Sequence, residues 1–108
     1  MTALDPNGHL EIHTVSDDHV RVRMALSVSS SSWMPEFMTL AQAREIPAEV
    51  HGVLLTVNVP VTASREETAE LLDQALRLVD DAQAQASSRL SAVATTKQYI
   101  EDWWETRK

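Results

Sequence analysis

The chain has no cysteine among its 108 residues. That excludes a disulfide framework, a thiolate metal site and a thiol nucleophile, and it fits a reducing compartment without requiring one. Glycine is almost as scarce: Gly8 and Gly52 are the only two, too few and too far apart for a phosphate-cradling loop. Basic residues are outnumbered, with nine Lys and Arg against sixteen Asp and Glu and a net charge of −7. Nucleic-acid binders carry the opposite balance, because their affinity comes from neutralising phosphates. Direct nucleic-acid binding is therefore not expected, nor is docking on anionic lipid.

Long hydrophobic runs are missing too. The most apolar stretch, Val53 to Val61, contains Thr56, Asn58 and Pro60 and falls far short of the ~20 residues that span a bilayer. The opening Met1-Thr2-Ala3-Leu4-Asp5-Pro6-Asn7-Gly8 has no basic residue and no apolar segment, so it does not read as a signal peptide. These absences lead to the expectation of a cytoplasmic protein with no membrane contact. Aromatics make up only 5% of the chain, yet Tyr99, Trp103 and Trp104 crowd its C-terminal end.

What is present is ordinary for a globular chain, 44% apolar and 23% charged. The expectation is a single α+β domain over residues 1–108. A small antiparallel three-stranded sheet in the order ββαβ, with its short helix, would occupy 9–61. A long C-terminal helix, or a helical hairpin, would occupy 64–106.

Leu10, Ile12 and Thr14 alternate with His9, Glu11 and His13, and Val20, Val22, Met24, Leu26 and Val28 alternate with polar or small residues. Period two over these lengths means half-buried strands. Ser16-Asp17-Asp18 between them is turn chemistry. A two-residue turn would set Ile12 against Arg23. A three-residue turn sets Ile12 opposite Val22, Leu10 opposite Met24 and Glu11 opposite Arg23, keeping apolar residues on one face. Since a one-residue slip turns every side chain over, the three-residue turn is predicted.

Ser29 to Ser32 breaks the pattern as a loop. Pro35 suits the first turn of a helix, and Phe37, Leu40, Ala41 and Arg44 fall at helical spacing, predicting a helix over 35–44. Trp33, Met34, Phe37 and Met38 read either as core or as an adaptable contact surface. Ile46-Pro47-Ala48-Glu49 reads as a connector. Val53, Leu55, Val57, Val59 and Val61 predict the third strand, with Pro60 placing its end at a sheet edge.

Ser64-Arg65-Glu66-Glu67 is a capping box that opens the last helix. From there to the C-terminus no Gly or Pro interrupts. Leu72, Val79, Ala86, Val93 and Ile100 recur every seventh residue. Ala69, Leu76, Gln83, Leu90, Lys97 and Trp104 interleave, giving a coiled-coil-like stripe flawed at Gln83 and Lys97. A continuous helix would be roughly 60 Å long at 1.5 Å per residue, beyond the span of a compact domain of this size. The alternative breaks near Ser87-Ser88 and folds back as a hairpin.

No residue set passes as a catalytic site, and no cofactor is expected. His9, Glu11 and His13 share one strand face, but His9 and His13 lie too far apart for one metal, and Arg21 would face His13; no metal is expected there. His19 and His51 read as surface residues. The adjacent acidic pairs Asp17-Asp18, Glu66-Glu67 and Asp80-Asp81 diverge or sit in a turn, the wrong spacing for acid–base work.

The function expected first is a non-catalytic interaction or assembly protein. It would form a homodimer, or dock another protein, through Leu90, Val93, Tyr99, Ile100, Trp103 and Trp104. The alternatives are an acidic inhibitor or nucleic-acid mimic using Glu66, Glu70, Asp73, Asp80 and Asp81 against a basic target, or a small ligand-binding α+β domain or enzyme without a visible motif.

Overall fold

Period-two segments in the first half of the chain and one uninterrupted helical pattern in the second give the element order ββαββα. The computed structural model describes residues 4–107; Met1-Thr2-Ala3, part of the segment read above as lacking a signal peptide, and Lys108 fall outside it. The strands are β1 (Leu10–Thr14), β2 (His19–Ala25), β3 (Ala48–His51) and β4 (Leu54–Pro60). The helices are α1 (Met34–Ala43) and α2 (Arg65–Arg107). The sheet is antiparallel with the order β1-β2-β4-β3.

The β1–β2 register follows the hydrophobic pattern. Leu10 faces Met24, Ile12 faces Val22, Glu11 faces Arg23 and His13 faces Arg21. The Val15 amide donates to the His19 carbonyl at 3.3 Å, closing the three-residue turn over Ser16, Asp17 and Asp18. The Ser16 hydroxyl and the His19 ring (3.0 Å) both hydrogen-bond Asp18, and hold its carboxyl below the ordinary aspartate range.

The sheet has four strands rather than three. Ala48 and Glu49, expected in a connector, form with Val50 and His51 the edge strand β3, in which Ala48 and Val50 are buried and Glu49 and His51 exposed. A tight turn at Gly52-Val53 joins it to β4, pairing His51 with Leu54. Gly52 has φ +59°, and only Glu45 shares a positive φ among the other described residues. A positive angle at the first turn residue alone is the type II′ pattern, which favours glycine there. β4 is therefore an interior strand. Pro60 is tolerated because β3 has already ended: the Asn58 amide, on the β3 side, donates to the Pro47 carbonyl, and the next position on that side is the proline.

Helix α1 starts with proline in its first turn and ends in a Schellman motif. The Glu45 amide donates to the Gln42 carbonyl at 3.2 Å and the Ile46 amide to the Ala41 carbonyl at 2.9 Å. Glu45 adopts φ 55° where glycine is usual. Helix α2 opens on the capping box: the Glu67 amide donates to the Ser64 hydroxyl at 3.1 Å, and the Ser64 amide to the Glu67 carboxylate at 3.4 Å.

One cluster of buried side chains joins the sheet to both helices. Val22, Met24, Val50, Leu55, Val57 and Val59 come from the sheet, Trp33, Phe37 and Ala41 from the α1 region, and Ala75, Leu78, Val79, Ala82 and Ala86 from α2. The aromatic cluster divides. Trp33 and Phe37 are buried with ring centroids 6.0 Å apart, while Met34 and Met38 stay partly exposed. Two ion pairs clamp α1 along α2. Arg44 reaches Asp81 at 2.7 Å just past one end, and Arg89 meets Glu36 at the other.

Candidate interaction surface

Helix α2 is continuous over its 43 residues, so the hairpin alternative does not form. The buried positions Ala75, Val79, Ala82 and Ala86 advance by alternating steps of four and three. After a second step of four from Ala86 to Leu90, the alternation resumes through Val93, Lys97, Ile100 and Trp104. The stripe thus keeps its rotational phase along the helix, but the sheet beneath it ends. Every residue from 87 to 107 is exposed. The longest dimension of the molecule is 66 Å and its radius of gyration 18.2 Å, against about 13 Å for a compact chain of this length.

The six residues singled out from the sequence all lie on this projecting segment. Exposure is 48% for Leu90, 43% for Val93, 59% for Ile100, 54% for Trp103, 56% for Trp104 and 67% for Tyr99. Together they present roughly 600 Å² of accessible side chain, the size of the largest apolar patch normal on a monomer. Leu90, Val93, Ile100 and Trp104 share the stripe; Trp103 flanks it, and Tyr99 faces further round. Beyond Arg89 the segment carries local side-chain contacts. The Gln98 amide donates to Asp102 at 3.0 Å, the Thr95 hydroxyl to the Ser91 carbonyl at 3.0 Å, and the Arg107 guanidinium lies 5.3 Å from the Trp103 ring centre.

Arg89 marks where the helix leaves the body. Its guanidinium donates to the Glu36 carboxylate and to the Ser32 carbonyl, the latter at 3.0 Å. The Arg89 hydrogen bond holds the Glu36 carboxyl below the ordinary glutamate range. Sequence spacing gave no sign of this clamp, because the partners are 53 residues apart.

A second apolar surface was not anticipated. The helices cover β2, β4 and β3 but leave the inner face of β1 bare, so Leu10 is 61% and Ile12 64% exposed. An open groove of about 450 Å³ runs between β1 and the start of α2, lined by Leu10, Ile12, Val20, Val61 and Leu72 with Thr68 at its rim. The alternation of Leu10 and Ile12 marked them as inward-facing. Whether a helix would cover them depends on where the helices settle across the sheet, and the strand pattern does not carry that.

The chemistry-bearing residues do not converge. His13 and Glu11 approach to 3.4 Å on the exposed face of β1, with Arg21 opposite His13. His9 lies outside the strand. No cluster of three His, Asp or Glu suited to a metal occurs among the described residues. Glu66, Glu70, Asp73 and Asp80 are exposed along α2, interrupted by exposed Arg65 and Arg77. No described helix is long and apolar enough to cross a membrane.

The chain matches no protein family, no curated protein and no solved structure.

Proposed function

We propose that this is a non-catalytic interaction protein of the cytoplasm that assembles, as a homodimer or with another protein, through the distal half of α2. One observation carries the reading. The apolar stripe that builds the core between Ala75 and Ala86 continues to Trp104 with nothing beneath it. Exposing four large apolar side chains on one helix stripe, with Trp103 at its flank, is costly in water, and large aromatics on such a face are the usual anchors of interfaces.

Sedimentation velocity over a range of protein concentrations tests the reading, beside titration of candidate partners. The expected result is assembly that the double variant Trp103→Ala/Trp104→Ala abolishes, with the fold of the body retained by circular dichroism. Assembly that survives loss of both rings, together with Leu90→Ala, would remove the distal stripe from the function.

A further inference from the structure

The two bare apolar surfaces of this chain fit each other. We propose that the distal half of α2 docks into the β1 groove of a second copy, and that the exchange is reciprocal, with the two α2 helices antiparallel. This deepens the proposed function and rests on it.

Direction comes first. The distal stripe keeps the phase of the buried proximal face, so it points to the same side as the sheet, past the sheet's end. α1 occupies one flank of α2; the groove lies on the other, over β1. A second copy turned half a revolution about an axis normal to the sheet, passing near residue 87, lays its own distal stripe down onto Leu10 and Ile12. By symmetry the first copy does the same to the second. A parallel pairing cannot do this, because it sets each distal half against the other and leaves both grooves empty.

Length comes next. The covered part of α2, residues 65–86, and the bare part, residues 87–107, are equal within a turn. With the axis near residue 87, Trp103 and Trp104 reach the level of Thr68 and Leu72, the helical wall of the groove. Lys97, the charged interruption of the stripe, falls level with Arg77 of the second copy, with the exposed Asp73 and Asp80 about one turn to either side. Where the helices pass, Ser87 is small and allows close approach.

Area closes the case. Without Tyr99, which faces away, the exposed portions of the other five distal side chains plus Leu10, Ile12 and Val61 amount to roughly 750 Å² per copy, close to the ~800 Å² per partner of a standard stable interface. Neither surface alone reaches that.

The absence of native cysteine permits a direct test. In the full chain, Ser87→Cys sits beside the axis and is expected to give a disulfide-linked dimer under mild oxidation. Thr106→Cys, at the far tips, is expected to give roughly tenfold less, since disulfides need Cα atoms within about 7 Å. Ile12→Glu puts a charge in the groove from a position 64% exposed in the single chain, so the fold is retained while association weakens by roughly tenfold or more. Mixing Ile12→Glu with Trp103→Ala/Trp104→Ala is expected to restore association, because the mixed pair keeps one intact tip-in-groove contact and neither homodimer has any. Cross-linking through residue 106 rather than 87, or assembly lost with the Trp pair but untouched by Ile12→Glu, overturns the exchange and leaves the proposed function standing. A chain that stays monomeric at every concentration and still binds another protein through the Trp pair does likewise. Assembly indifferent to the Trp pair overturns both.

Discussion

Leu78 and Leu90 are the same residue type on the same helix, and their contributions to stability should differ several-fold. Leu78 is fully buried in the core that joins the sheet to both helices, whereas Leu90 is 48% exposed at the root of the projection. Leu78→Ala removes the transfer free energy of the lost methyl and methylene groups and leaves a cavity, about 3 kcal/mol in total, within the 2–5 kcal/mol usual for buried leucines. The gain in helix propensity returns only about 0.2 kcal/mol. A domain of this size has about 5–15 kcal/mol of stability, and the loss corresponds to a fall of roughly 15 °C in Tm. In the single chain Leu90→Ala should cost less than about 1 kcal/mol, because half of its surface is already wet. Urea denaturation followed by circular dichroism, at the lowest concentration that gives a signal, measures both. A Leu78→Ala cost below about 1 kcal/mol would refute the placement of the core on this face of α2.

Glu45 and Gly52 test one principle with opposite signs: both have positive φ. Glu45→Gly should stabilise by roughly 0.5–1 kcal/mol and Gly52→Ala should destabilise by about 1 kcal/mol, although an added Cβ at Gly52 would meet nothing within 4 Å. Matching signs in thermal denaturation would contradict the assignment. Ser64→Ala removes the side-chain acceptor of the capping box and should cost about 1 kcal/mol, while Ser88→Ala, mid-helix, should be near neutral. Arg89 lowers the folded-state pKa of Glu36, so their interaction contributes stability above the ordinary glutamate range and is lost as pH falls through the folded value. Arg89→Gln should therefore lose less stability than the parent between about pH 5 and pH 3; equal acid limbs in urea titrations would rule the clamp out.

How far the sequence could be read depends on the range of the signal. The β1–β2 register was legible because the apolar alternation and turn length at Ser16 to Asp18 are local and mutually restrictive. So was the start of α2, where the reciprocal Ser64–Glu67 pair lies within four residues. β3 escaped notice because Ala48-Glu49-Val50-His51 has only two apolar positions and follows a proline. Its clearest signal was Gly52, which with Val53 forms a two-residue hairpin turn. The Glu36–Arg89 clamp and the bare face of β1 were not legible at all. Both depend on how the helices settle across the sheet, which no window of sequence contains. The distal residues were found because their periodicity is long and regular, while the groove proposed to receive them is assembled from three strands and a helix.

The composition of the distal half sharpens why its covering matters. Between Ser87 and Arg107 the chain contains Val93, Thr95, Thr96, Tyr99, Ile100, Trp103 and Trp104, β-branched and aromatic residues that lose side-chain freedom in a helix. Its local supports include the Gln98–Asp102 hydrogen bond, the Thr95 and Thr106 hydroxyls on the Ser91 and Trp103 carbonyls, and the Arg107–Trp103 contact; an exposed side-chain pair of this kind is worth well under about 1 kcal/mol. Without tertiary packing its helicity rests on propagation from the proximal half, which residues of these types favour only weakly. The proximal half faces no such difficulty, because Leu78, Val79 and Ala82 anchor it to the sheet. Helicity of the distal half and occupancy of its stripe should therefore be one equilibrium. The far-UV helical signal should increase with protein concentration, or with added partner, in step with the sedimentation coefficient, while amide protons before Ala86 remain protected throughout. Full helicity at a concentration where the chain sediments as a monomer would separate the two, and would mean that local interactions alone hold the projection.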